Sequence, residues 1–190
     1  MDNLIAKIYQ MPKTVFNTRD LALIWNETNA DHLKAKIAYY VNQGDLIRLT
    51  RGVFAKDKNY DVMELANSIW APSYISFETA LRFAGMIFQH YDTIFIAGKW
   101  SKIVVIGSQK FAFRKIKKSV LYNSQGIENR GNYCVAGPER AFLDMIYLFP
   151  DYYFDNLSPV NWERCFEMVK IYNNKQLEKR LMIYQKKYAE

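Results

Sequence analysis

The sequence predicts an α+β chain in two parts: a helical N-terminal domain closed by a small β-hairpin, then a mixed α+β C-terminal domain. Three observations carry this expectation. Two short amphipathic helical patterns run into Gln43 to Ala55, which reads as the end of a helix followed by two short strands. A polar connector, Lys56 to Tyr60, follows. Beyond it, helical patterns flank three β-type runs, so the order is helices, hairpin, helices, strands, helices. The expected domains are residues 1–58 and 61–190.

The N-terminal domain is read in order. Leu4 to Met11 has the pattern of a first helix, ended by Pro12. Asn17 or Thr18 can cap a helix starting near Arg19, with Leu21, Ile24 and Trp25 as its apolar stripe. Asn29 suits the N-cap of the next helix, and Asp31 in its first turn complements the helix dipole. Leu33, Ile37, Tyr40 and Val41 recur at helical spacing and should face the core. Gly44 stands where a helix end needs φ > 0. Leu46, Ile47 and Leu49 form a β-prone run containing Arg48. Thr50-Arg51-Gly52 is turn chemistry, and Val53-Phe54-Ala55 returns as a second strand. Two helices and a hairpin with an arginine at its tip are the plan of a winged helix-turn-helix. DNA is the partner that plan implies.

In the second domain, Leu65, Ile69 and Trp70 suggest a helix ending at Ala71-Pro72. Ser76 begins another, which runs to Ala84 and stops at Gly85. The β-type runs are Thr93 to Ala97, Lys102 to Ile106, and a long basic one from Lys110 to Leu121, with a short strand at Asn132 to Val135. Pro138 fits the first turn of a helix through Leu148. After an aromatic loop, Asp151 to Leu157, two helices are expected at about Trp162 to Tyr172 and Lys175 to Lys187.

Composition sets the functional bounds. The 190 residues are half hydrophobic, enough to bury a core without staples. The net charge of +7 favours an anionic partner without identifying one. The excess is spread: residues 1–60 hold nine basic and six acidic side chains, residues 61–150 ten and seven, residues 151–190 seven and six. A lysine-rich tail is therefore not the binding device. The two cysteines, Cys134 and Cys165, and two histidines, His32 and His90, offer no zinc-ligand spacing and favour reduced, structural thiols over a disulfide. No metal or cofactor is expected. The N-terminus lacks the apolar core of a signal peptide, and no apolar run is long enough for a membrane span. A soluble, cytoplasmic protein without membrane association is the expectation.

The candidate DNA-binding residues are Asn29, His32, Lys34, Lys36, Tyr39, Arg48 and Arg51. On the 29–43 helix, lysines would make salt-sensitive phosphate contacts, while Asn29 and His32 near its start could reach base edges. The alternative is an ordinary solvated helix face. Arg51 at the hairpin tip is placed for a phosphate or a minor groove; Arg48, mid-strand, has a salt bridge to Asp45 as a competing role. A second basic patch is Lys110, Arg114, Lys115, Lys117 and Lys118, either a contact for phosphate or an acidic partner, or an edge strand protected from aggregation by its lysines. In the cluster Tyr147, Phe149, Tyr152, Tyr153 and Phe154, core packing competes with a recognition surface. Catalysis is not expected: Glu139 and Asp144 sit five apart on different helix faces, and no nucleophile constellation or phosphate loop can be assembled. Structural roles are expected for Glu78, Glu139 and Arg140.

Three blocks resemble one family. Gly44 to Phe54 resembles its G-x-L-x-R-x-x-R-G-V-Y/F wing, Pro72 to Leu81 its P-S-Y-I-S-x-x-S/T-A-L helix start, and Ala136 to Asp144 its A-x-P-E-K/R-A-L/I-x-D block. In this order, over residues 14 to 150, they resemble the AbiEi-type antitoxins. The resemblance implies an antitoxin of a type IV toxin–antitoxin system linked to phage defence. Its winged helix would repress its own operon as paired copies on inverted repeats, and its C-terminal domain would counter a nucleotidyltransferase-type toxin. Two alternatives stay open: a winged-helix transcriptional regulator of the same fold without a toxin partner, and a nucleic-acid-processing enzyme.

Overall fold

The computed structural model describes residues 4–188 and is a mixed α+β protein. It divides into two compact units, Met1–Ile69 and Trp70–Glu190.

The first unit runs α1 (Leu4–Gln10), β1 (Val15–Asn17), α2 (Thr18–Ile24), α3 (Ala30–Gln43), β2 (Ile47–Thr50), β3 (Val53–Ala55) and α4 (Val62–Ile69). Each helix start follows its cap. Asn17 and Asp20 form a reciprocal capping box on α2, and Asn29 accepts from the amides of Asp31 and His32 on α3. Gly44 closes α3 in the left-handed region, at φ 83°. The helices close over one core of Ile8, Phe16, Leu21, Trp25, Leu33, Ile37, Leu46 and Phe54, with Tyr40 and Val41 at its margin. Trp25 Nε1 donates to Leu4 O at 3.1 Å, tying α2 to α1.

The hairpin is one part of a three-stranded antiparallel sheet in the order β1-β3-β2. β1 is a strand that periodicity missed, because at three residues it is too short to show alternation. Its Phe16 lies opposite Phe54, and both are buried.

The boundary between units falls after Ile69, so α4 joins the first unit and not, as the connector at 56–60 suggested, the second. The physical reason is Glu64, buried at 3 % exposure. Its Oε2 accepts from Thr14 N at 2.7 Å, Thr14 Oγ1 at 2.9 Å and Val15 N at 3.0 Å, binding α4 to the start of β1.

The second unit is built on a six-stranded mixed sheet in the order β6-β7-β5-β4-β9-β8. Its strands are β4 (Tyr74–Ile75), β5 (Thr93–Gly98), β6 (Lys102–Ile106), β7 (Gln109–Lys115), β8 (Ile127–Asn129) and β9 (Cys134–Ala136). Its helices are α5 (Phe77–Phe83), α6 (Lys118–Leu121), α7 (Pro138–Leu148), α8 (Trp162–Met168) and α9 (Lys175–Tyr188), with a 3-10 turn at Val169–Tyr172. α5 packs on β5 and on α7, which packs on α8 and α9.

Two expectations about the basic run are corrected. It is not one long strand: β7 ends at Lys115, buried Ile116 bonds back to Gly98 O at 3.0 Å, and α6 begins at Lys118. Nor is it an edge: β7 lies between β6, antiparallel, and β5, parallel, with Phe111 and Phe113 buried. The edges are β6 and β8. The aromatic loop divides: Phe154 is buried against Phe142 and Tyr184, whereas Tyr153 is 70 % exposed.

Candidate nucleic-acid interface

The outward face of α3 is the first candidate surface. Leu33 and Ile37 turn into the core, which leaves His32, Lys34, Tyr39, Asn42 and Gln43 exposed and Lys36 half-buried. Two of its cations already hold acidic partners. Lys36 Nζ is bonded to Glu27 Oε2, which sits in the connector before α3, and this bond holds the Glu27 carboxyl below its ordinary value. Lys34 Nζ reaches Asp31 Oδ1 at 3.1 Å, a solvated pair one turn apart. The phosphate role expected of these lysines is thus partly offset by carboxylates of α3 and of the connector before it. Asn29 has its side-chain oxygen engaged by two amides and serves the cap; its amide nitrogen remains for an outside contact.

The hairpin supplies two arginines in different settings. Arg48 stacks over Phe54, opposite it on β3, with its guanidinium carbon 5.3 Å from the ring centroid. That is the position it takes in place of the Asp45 pair. Arg51 is exposed at the tip beside Gly52, φ 75°. The tip is not loose: Gly52 O accepts from Thr18 N at 3.0 Å and from Thr18 Oγ1 at 3.3 Å. A β-carbon built at Gly52 would sit 3.3 Å from Thr18 Oγ1, so glycine serves both the turn and the approach.

One residue escaped the sequence reading. Arg19 is exposed in the first turn of α2, next in sequence to Thr18, while Arg51 is next to Gly52. The Thr18–Gly52 bond therefore brings two exposed arginines to its flanks, one from each side. No sequence signal joins Thr18 to Gly52, 34 positions apart; only the sheet closed by β1 does.

The second basic patch is dispersed by the fold. Arg114 is committed inward: Nη1 and Nη2 reach Glu78 Oε2 and Oε1 at 2.6 and 2.7 Å, and its guanidinium lies 4.4–4.9 Å from the Phe95, Phe149 and Phe77 ring centroids. A bidentate pair in an aromatic cage is a structural element, and it fixes Phe77, which holds φ 53° although it is not glycine. Lys110 is exposed in the strand, facing away from the other lysines along the sheet. Lys115, Lys117 and Lys118 stand together where β7 leaves the sheet.

Behind them lies a buried polar network that joins two sequence blocks. Asp144 Oδ2 accepts from Tyr74 Oη at 3.0 Å and Ser76 Oγ at 2.8 Å, and Oδ1 accepts from Tyr172 Oη at 2.6 Å. Arg140, wholly buried, donates to Tyr74 Oη at 2.9 Å, Val120 O at 2.8 Å and Gln125 O at 2.7 Å. Its Nε lies 3.4 Å from Asp144 Oδ1, an ionic contact without hydrogen-bond geometry. Burial pushes the Asp144 carboxyl upward, against the pull of Arg140 and the three hydroxyls, while that carboxylate holds Arg140 above its ordinary value despite burial. Burial likewise pushes Tyr74 and Tyr172 upward. Glu139 accepts from Asn161 N at 3.2 Å, at the start of α8. The Tyr-x-Ser block and the Glu-Arg-x-x-x-Asp block thus meet in one buried network.

Among the described residues, no group of three or more histidine, cysteine or acidic side chains is placed to hold a metal, and no helix is long and apolar enough to cross a membrane. Cys134 is half-buried and Cys165 is buried, and burial pushes the Cys165 thiol upward. No protein-family model matches the chain, and no curated protein matches it.

Proposed function

We propose that the first unit is a winged helix-turn-helix and that the protein binds double-stranded DNA with it, α3 entering the major groove and the Arg51 tip lying on the adjacent backbone or minor groove. The observation that carries this reading is the chain order of the unit. Helix, strand, helix, helix and hairpin, with the first strand completing the hairpin's sheet, give α3 an outward polar face and place the arginine tip beside the start of α2. An exposed Tyr39, Asn42 and Gln43 on that face, and the arginine pair Arg19 and Arg51, provide base-edge and phosphate donors. With Lys34 and Lys36 held by carboxylates, the arginines carry the phosphate contacts more than the lysines do.

The biological role proposed is an AbiEi-like antitoxin that represses its own operon as paired copies on inverted repeats and counteracts a nucleotidyltransferase-type toxin. This part rests on the three short sequence blocks, two of which meet in the Tyr74–Ser76–Arg140–Asp144 network. A regulator of the same fold without a toxin partner shares every feature of the DNA-binding proposal.

A gel-shift titration against the DNA upstream of the gene, with a scrambled duplex as control and at two salt concentrations, tests the first claim. Tight, selective, salt-dependent binding supports it; equal, weak binding to both duplexes refutes it. Co-expression with a toxic nucleotidyltransferase encoded immediately downstream tests the second: rescue of growth supports antitoxicity, and unrelieved toxicity, or the absence of such a gene, refutes it.

A further inference from the structure

A cleft of about 940 Å³ in the second unit opens where β5 and β7 end. These two strands are parallel neighbours, paired as far as Gly98 with Lys115. Lys99 follows directly on β5, Lys115 is the last residue of β7, and Lys117 and Lys118 come after it; Arg180 of α9 closes the ring. Among the described residues, no carboxylate lines the cleft and none of these five cations is paired with one. Ligands of open α/β sheets sit at the carboxyl ends of parallel strands for the same geometric reason, that the chain must turn away there and leave a crevice.

The cations stand on a fixed frame. Arg180 Nη1 donates to Ile146 O at 2.9 Å and Tyr147 O at 3.2 Å, which ties α9 to the end of α7. Lys117 Nζ donates to Tyr172 O at 3.2 Å, and Tyr172 is itself bonded to Asp144. Arg140 holds Val120 O of α6 from below. Tyr122, 57 % exposed, stands at the rim with the Lys99 and Lys118 ammonium groups each 5.9 Å from its ring centroid. Like charges gathered without acidic partners raise the local positive potential and await an anion. An aromatic face between two of them adds a platform for a flat base.

We infer that this cleft is a binding site for a free nucleotide, its phosphates held by Lys115, Lys118 and Lys99 and its base laid against Tyr122. The volume falls in the range of pockets that enclose one ligand of that size. The site lies wholly within the second unit, and the inference is independent of DNA binding by the first.

Isothermal titration of the full chain with ATP, GTP and inorganic tripolyphosphate tests it, alongside Lys115→Ala/Lys118→Ala and Tyr122→Leu. None of these three side chains makes a hydrogen bond or ion pair that holds the fold, and an unchanged melting temperature checks this. The expected result is saturable binding of a nucleoside triphosphate, weakened roughly tenfold to hundredfold by the double lysine variant. Tyr122→Leu should weaken the nucleotide and leave tripolyphosphate unchanged, and operator binding in the gel shift should be the same for all variants. The inference is overturned by no saturable binding at millimolar nucleotide, or by equal affinity for nucleotide and tripolyphosphate. Loss of duplex binding in the double lysine variant also overturns it, because the cleft would then be part of the nucleic-acid interface.

Discussion

Replacing Arg140 with methionine is expected to destabilise the second unit by about 4 kcal/mol, the middle of the range for removing one partner of a buried ion pair. The substitution roughly preserves the length of the side chain but removes the donors to Tyr74 Oη, Val120 O and Gln125 O and the ionic contact with Asp144. Two carbonyls then lose a buried charged donor, at about 1–3 kcal/mol each. Asp144 loses the cation beside it but keeps three hydroxyl donors, which limits its share. Per-residue unfolding entropies convert this loss to a fall in melting temperature of about 15 °C for a unit of this length. Urea denaturation followed by tryptophan fluorescence reads the unit through Trp70, Trp100 and Trp162. The double variant Arg140→Met/Asp144→Leu is expected to be less unstable than the sum of the two single variants, because each single change already breaks their shared contact, although the leucine would leave the three hydroxyls without their acceptor. A loss below about 1 kcal/mol for Arg140→Met, or a double variant as unstable as the sum of the singles, would refute the reasoning.

Four further outcomes follow from the same geometry. Asn29→Ala should cost the first unit about 1 kcal/mol by removing the cap of α3, while Asn29→Asp keeps the cap and weakens DNA binding through its charge; thermal melts and gel shifts separate the two effects. Glu27→Gln releases Lys36 and removes a carboxylate from beside α3, so nonspecific DNA affinity should rise and the salt slope steepen by about one; an unchanged slope would mean that Lys36 meets no phosphate. Arg51→Ala, and equally Arg19→Ala, should weaken operator binding and lower the salt slope by about one each, whereas Lys34→Ala should change it less. With an alkylating thiol reagent at pH 8, Cys134 should react first and Cys165 only on unfolding, since burial and the neighbouring Glu139 disfavour its thiolate; labelling read by mass spectrometry decides it.

Local chemistry made much of this chain legible in advance. Asn29 as a cap, Gly44 as a left-handed stop, the hairpin turn at Arg51-Gly52 and the helix from Pro138 are all set by interactions within a few residues, and the structure has them where the sequence placed them; of Asn17 and Thr18, both open as caps in the sequence, Asn17 serves. Strands β1, β4 and β8 were not legible, because segments of two or three residues carry no period and are strands only by virtue of their partners. The basic run misled for a related reason. Alternation correctly put Phe111 with Phe113, but a pattern on one strand cannot say whether neighbours flank it on both sides, and that decided that Arg114 faces Glu78 and not solvent.

The sequence by itself determined the α+β class, the capped helices and hairpin of the first unit, and the exclusion of zinc-ligand spacing and a basic tail. These depend on composition and on contacts close in the chain. Only the tertiary structure decided where the units divide, which cations are neutralised by Glu27, Asp31 and Glu78, that the Thr18–Gly52 bond ties the start of α2 to the hairpin tip, and that lysines from two strand ends gather in one cleft. The physical reason is range. Caps and turns are fixed by hydrogen bonds between near neighbours, whereas the potential of a surface depends on charges that only the packed chain brings within a Debye length of each other.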